Sequence, residues 1–189
     1  ALDFNGGGYV ELEDSAVDLP FGAAEPFTIT AWVNPRAGGT VVGKFNGGVV
    51  GAYILSVAAN GSVTFHREVA PWSLQGSGDV DAGEFWHVAA TYDSSEIVIY
   101  IDGDDVGGGP CEGEIAKVAT PLYIGARGGS GRFTQGAYDE IRMYNRPMKK
   151  AEIAQIMSEG PIELLAVDPR DRAAVTWGTL KTGVPALHD

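Results

Sequence analysis

Trp32, Tyr100 and Tyr144 share one strand parity with His87, Glu140 and Arg142, which would set aromatic rings among hydrogen-bonding side chains. Phe27 to Val33 alternates, with Phe27, Ile29, Ala31 and Val33 on one face and Thr28, Thr30 and Trp32 on the other. The same parity puts His87, Ala89 and Thr91 beside Val98, Tyr100 and Asp102, joined by Glu140, Arg142 and Tyr144 from a later segment. Rings that stack, with polar groups able to meet hydroxyls, suit the recognition of a sugar. The same residues also suit a self-satisfied polar layer, with Arg142 paired to Glu140 or Tyr144 and Trp32 under a loop. A rim of loops carrying Tyr53, His66, Arg67, Trp72, Arg127 and Phe133 is the alternative binding site.

Catalytic patterns are sparse. The closely spaced acidic pairs are Glu11/Glu13, beside a turn, and Asp79/Asp81 and Glu112/Glu114, both in glycine-rich loops. Glycan hydrolysis needs two carboxylates at a fixed separation across the scissile bond. No paired-histidine metalloprotease motif, nucleophile elbow or phosphate loop occurs. Cys111, the one cysteine, follows Gly107-Gly108-Gly109-Pro110 without a neighbouring base, and no intrachain disulfide can form. A non-enzyme is expected.

Acidic residues number 25 against 13 basic ones, a formal net charge of −12. Such a surface repels phosphate backbones and anionic lipid headgroups, so nucleic acid is not an expected partner. It also disfavours sulfated or uronic-acid polymers unless cations bridge the charges. The basic residues crowd one stretch: Arg127, Arg132, Arg142, Arg146, Lys149 and Lys150. No apolar run is long enough to insert into a membrane. Ala1 begins almost directly on a strand pattern, as a secreted chain with its leader removed would.

The elements that must position these residues are short strands between turns, in keeping with 27 glycines that follow no period. Runs fall at Ala1 to Phe4, Tyr9 to Leu12, Phe27 to Val33, Thr40 to Lys44 and Tyr53 to Val57. Asn60-Gly61 and Asp102-Gly103 are hairpin signals. Pro147 opens the single helix, with Met148, Ile153, Ile156 and Met157 near one face, and Gly160-Pro161 closes it. These elements predict an all-β, two-sheet antiparallel sandwich with one short C-terminal helix, a closed barrel being the alternative. The segment beyond residue 160 reads as a C-terminal arm or hairpin, with strand-like runs at Ile162 to Val167 and Ala173 to Leu180.

Four segments in order resemble the laminin-G-like, concanavalin-type jelly-roll family of secreted and surface proteins. They are Ala1-Leu2-Asp3-Phe4-Asn5-Gly6 with Tyr9-Val10-Glu11-Leu12, and then Phe27-Thr28-Ile29-Thr30-Ala31-Trp32-Val33. Next come Trp86-His87-Val88-Ala89-Ala90-Thr91-Tyr92-Asp93 with Ile99-Tyr100-Ile101-Asp102-Gly103, and Tyr138-Asp139-Glu140-Ile141-Arg142-Met143-Tyr144-Asn145-Arg146 leading into a helix. The resemblance implies a jelly roll over residues 1–160, with 161–189 an extension packed on the domain or on a neighbouring chain. It implies a frequent calcium ion, for which Asp139 with Asn5 and Gly8 match the family's aspartate and first loop. The other reading is that Asp139 caps a turn and Asn5 is a turn residue. The function expected is a non-catalytic, extracellular or cell-surface binding module for a glycan. A protein-adhesion module is the alternative, and a glycan-cleaving enzyme the remote one, since this fold carries all three.

Overall fold

The computed structural model describes residues 1–13, 25–45, 53–68, 70–112 and 119–159, and the backbone of 187–188. In chain order its strands are β1 (Leu2–Asn5), β2 (Tyr9–Leu12), β3 (Phe27–Ala37), β4 (Gly39–Lys44), β5 (Tyr53–Val57), β6 (Ser62–Arg67) and β7 (Ser73–Asp79). Then come β8 (Trp86–Tyr92), β9 (Glu96–Ile101), β10 (Asp104–Pro110), β11 (Leu122–Ile124), β12 (Gln135–Tyr144), helix α1 (Lys150–Glu159) and β13 (Leu187–His188). The first sheet runs β1-β12-β3-β8-β9-β10 and the second β7-β6-β5-β4-β11-β2-β13, all antiparallel. A single residue pair, Gly107 with Gly76, joins them where β10 meets β7. The sandwich expected from the sequence is therefore present, and it is nearly closed along this seam.

Alternation builds the core. Phe27, Ile29, Ala31 and Val33 face inward as predicted, with Leu55, Phe65, Val88, Ile99 and Ile141. Phe27 meets Tyr53 and Phe65 of the opposite sheet at ring-centroid distances of 6.2 and 5.4 Å. Among the register shifts, one in β4 and one in β12 change which residues face the core. In β4, Val41 and Val42 both point to the core, with a register shift between Thr40 and Val42. In β12 a shift lies between Asp139 and Arg142, with Glu140 at φ 47°, so Tyr138 and Ile141 are both buried; a second lies between Gln135 and Gly136.

The turns follow the sequence signals. Asp102 and Gly103 both have positive φ, 48° and 80°, as a two-residue hairpin with right-handed twist requires. Asn60 Oδ1 accepts from the Ser62 amide at 3.3 Å and the Ser62 hydroxyl at 2.9 Å, stapling the hairpin at Gly61. Cys111 is buried and unpaired.

Helix α1 lies on the outside of the first sheet. Met148, Ile153 and Ile156 pack against Ala89 and Tyr100, with Val98 and Tyr144 alongside. The Thr28 hydroxyl donates to the Arg146 carbonyl at 2.8 Å and accepts from the Met148 amide at 2.9 Å, fixing the approach to the helix. At its start the Lys149 amide donates to Glu152 at 2.8 Å, and Arg146 pairs with Glu152 at 2.8 Å. The backbone of β13 pairs with β2, Leu187 opposite Val10, and so covers that edge. The expected strand-like runs within 162–180 lie outside the described residues.

Candidate functional site

The structure brings Trp32, His87, Tyr100, Arg142 and Tyr144 onto one outer face, with Glu140 in the neighbouring bulge, as strand parity predicts. The face is not an open groove. Helix α1 packs over its Ala89, Val98, Tyr100 and Tyr144; Tyr100, Arg142 and His87 are 6%, 5% and 1% exposed, while Trp32, Glu140 and Tyr144 are half-buried. Arg142 is tied to Glu140, and Trp32 packs edge-on against His87 at 5.4 Å. Burial, then the Arg142 charge, pushes the His87 pKa down to about 4. Arg142 thus pairs with Glu140 as in the alternative reading, but the layer is not fully satisfied, since His87 Nδ1 and Thr30 Oγ1 are buried there without a hydrogen-bond partner. Ala89 and Val98, apolar residues at outward parity, were the sequence signal that something covers this face.

The proposed calcium ligands do not converge. Register sets Asn5 opposite Gln135 and Leu2 opposite Tyr138, so Asn5 and Asp139 are separated by four residues of strand, about 13 Å. Asn5 Oδ1 instead accepts from the Gly7 amide at 3.2 Å, a local turn, and Gly8 lies in that same loop. Asp139 meets the Ala1 amine at 2.9 Å and the Glu140 amide at 2.9 Å. Among the described residues no three His, Cys, Asp or Glu side chains cluster around a metal-sized space. Asn5, Gly8 and Asp139 therefore do not fit one calcium ion.

The outer face of the second sheet is lined differently. Paired residues across its strands run Glu11, Tyr123, Gly43, Ile54, His66, Ser73. Directly paired residues point to the same side, so these alternate with the core residues Leu12, Leu122, Leu55 and Phe65. The connection from Arg127 to Phe133 lies on this face. A turn closed by the Arg127 amide donating to the Gly131 carbonyl at 2.7 Å carries Gly129 onto the tyrosines. A Cβ on Gly129 would stand 3.1 Å from Tyr123 and 3.3 Å from Tyr9, and its φ is +66°, so the approach requires glycine. Tyr9 contacts Tyr123 and Phe133 at 5.9 and 6.2 Å, while the Arg127 guanidinium lies 4.9 Å over the Phe45 ring.

Beyond this loop the face opens into a cavity of about 260 Å³ lined by Gly38, Gly39, Ser56, Thr64, Ala59 and Arg132. Two residues along β6 from Thr64, His66 contacts Phe45 at 6.4 Å. Its ring nitrogens meet the Ser73 hydroxyl at 2.8 Å and the Glu68 carboxylate at 3.1 Å. Trp72, 57% exposed, stands next to Ser73 at the rim. Of the alternative loop group, His66, Arg127 and Phe133 meet this face and Trp72 borders it. Tyr53 and Arg67 are buried instead, Arg67 bonded to the carbonyls of Ala70, at 2.9 Å, and Glu112.

The sequence reading missed Tyr9, Tyr123, Phe45, Ser56 and Thr64, and named Arg132 only as part of the basic stretch. Alternation in Tyr9-Val10-Glu11-Leu12 and Leu122-Tyr123-Ile124 does place both tyrosines outward, but nothing local puts those two segments side by side.

The comparisons with known proteins agree with this architecture. A laminin G-like family model of the concanavalin A-like lectin/glucanases superfamily matches residues 4–154. The chain belongs to that superfamily. No curated protein sequence matches it. Among solved structures of superfamily-like fold, one is a candidate carbohydrate-binding protein of Bacteroides ovatus, 18% identical with a TM-score of 0.62. It covers 91% of this chain, which spans only 48% of that structure. Domain 4 of the extracellular arabinanase AbnA of Geobacillus stearothermophilus, in complex with arabinotriose, is 17% identical with a TM-score of 0.64, covering 82% of this chain and 75% of its own. The CBM40 domain of a Ruminococcus gnavus sialidase, bound to sialyllactose, is 14% identical with a TM-score of 0.68, covering 82% and 95%. At these identities the likeness is one of fold.

Proposed function

We propose that the chain is a non-catalytic carbohydrate-binding module of an extracellular or cell-surface protein, with its glycan on the outer face of the second sheet. The observation that carries this reading is the asymmetry of the two outer faces. Helix α1 packs on one, while the other presents half-buried Tyr9, Tyr123, Phe45 and Phe133 around a buried Ile54, beside a cavity with hydroxyl and guanidinium groups. Rings that stack on the apolar faces of sugars, with a few polar groups that fix orientation, are what such a site needs. Two relatives in fold, the arabinanase domain and the CBM40 domain, were solved with oligosaccharides, which supports the same class of ligand.

Carboxylate placement supports binding without cleavage. Glu11 and His66, whose ring contacts Glu68, lie four strand spacings apart, about 19 Å, well beyond the roughly 5–10 Å of glycosidase pairs. Glu11 and Glu13 are closer in sequence, but β2, which carries Glu11, is two strand spacings, about 10 Å, from β4, whose Gly39 lines the cavity.

A glycan array tests the proposal. The chain is expected to be retained on a defined set of glycans, with Tyr123→Ala weakening retention at least about tenfold through loss of a stacking ring. It should release no reducing ends from the retained glycans. Unchanged retention by folded Tyr123→Ala would remove the site from this face, and released reducing ends would make the chain an enzyme.

A further inference from the structure

Among the described residues every arginine but two is spoken for. Arg36 pairs with Asp3, Arg142 with Glu140 and Arg146 with Glu152, and Arg67 bonds to two carbonyls. Arg127 and Arg132 have no carboxylate partner among the described residues, although the chain carries 25 acidic residues against 13 basic ones. A shortage of carboxylates does not explain this. Both sit on the Arg127 to Phe133 loop on the outer face of the second sheet, Arg127 over the Phe45 ring and Arg132 lining the cavity with Ser56 and Thr64.

A further observation points to the same place. Arg132 has φ +48°, a left-handed conformation that favours glycine or asparagine, yet the position bears the longest cationic side chain. A guanidinium beside hydroxyls in a recess matches a carboxylate, whose two oxygens accept its paired N–H groups. The chain's net charge of −12 does not forbid this, because charges beyond roughly 8 Å are largely screened at physiological salt.

We propose that Arg132, seconded by Arg127, binds the carboxylate of an acidic sugar, so that the module selects glycans bearing uronic or sialic acid. This rests on the glycan-binding reading of the same face.

An array carrying oligogalacturonides, hyaluronan fragments and sialyllactose, each beside its carboxyl-reduced form, separates the possibilities, and the acid that is retained tells uronate from sialate. The full chain is expected to hold an acidic glycan at least about tenfold more tightly than its reduced form, the worth of one charge-assisted pair. Raising the salt concentration should narrow that gap. Arg132→Gln should close it, and Arg132→Gly should close it without lowering the melting temperature, because glycine accepts the positive φ. Equal retention of acidic and reduced forms, or a gap that survives in both variants, overturns the inference while leaving glycan binding intact. No retention on any glycan overturns both.

Discussion

His87 shows what burial does to a single group. It is 1% exposed beside Trp32 and Arg142, and burial with the Arg142 charge pushes its pKa from 6.5 down to about 4. Between those values the unfolded chain binds more protons than the folded one. Stability is therefore fully present above about pH 6.5 and is lost as pH falls toward 4, by about 3 kcal/mol from this residue. Urea denaturation at pH 7 and at pH 4 checks it: His87→Gln should lose about 3 kcal/mol less than the wild type over that interval. Equal acid losses would mean that His87 is solvated. Strand parity correctly places Trp32, His87, Tyr100, Arg142 and Tyr144 on one side, because alternation is a local property. Whether that side is wet depends on what lies over it, and no spacing within a strand reports that. The same limit hid the Asn5 to Asp139 separation, which register alone decides.

At the scale of elements, helix α1 decides which face is available. Its apolar residues Met148, Ile153 and Ile156 are legible in the sequence, and so is the helix, although it begins at Lys150 and not at Pro147. An amphipathic helix needs an apolar partner, and outward Ala89, Val98 and Tyr100 supply one. That match was available from the sequence once the outer parity of β8 and β9 was compared with the helix face. Ile153→Ala is expected to destabilise the domain by about 3 kcal/mol, as burial at 0% exposure implies, while the folded fraction keeps its glycan affinity. Chemical denaturation with a binding assay at low denaturant measures both. A variant that stays stable but loses binding would put the ligand at the helix. The bulges are another element-scale feature that alternation misses: Val41 with Val42, and Tyr138 with Ile141, break the period-2 pattern yet all face the core.

In the whole molecule the two sheets are alike in architecture and different in what they leave open. Family segments, hairpin turns and core alternation made the sandwich readable from residues 1–160, and the family match over residues 4–154 agrees. The open face was not readable in the same way. It is assembled from Tyr9, Phe45, Ser56, Thr64, Tyr123 and the Arg127 to Phe133 loop, segments far apart in the chain that only the strand order of the second sheet brings together. Amide chemical shifts of the labelled chain, followed while its array-selected glycan is titrated, test that location most directly. The account predicts saturable shifts in β5, β6, β11 and residues 127–133, with β8, β9 and α1 unmoved. Shifts concentrated around His87, Tyr100 and Ile153, with Tyr123 and Arg132 unaffected, would contradict it.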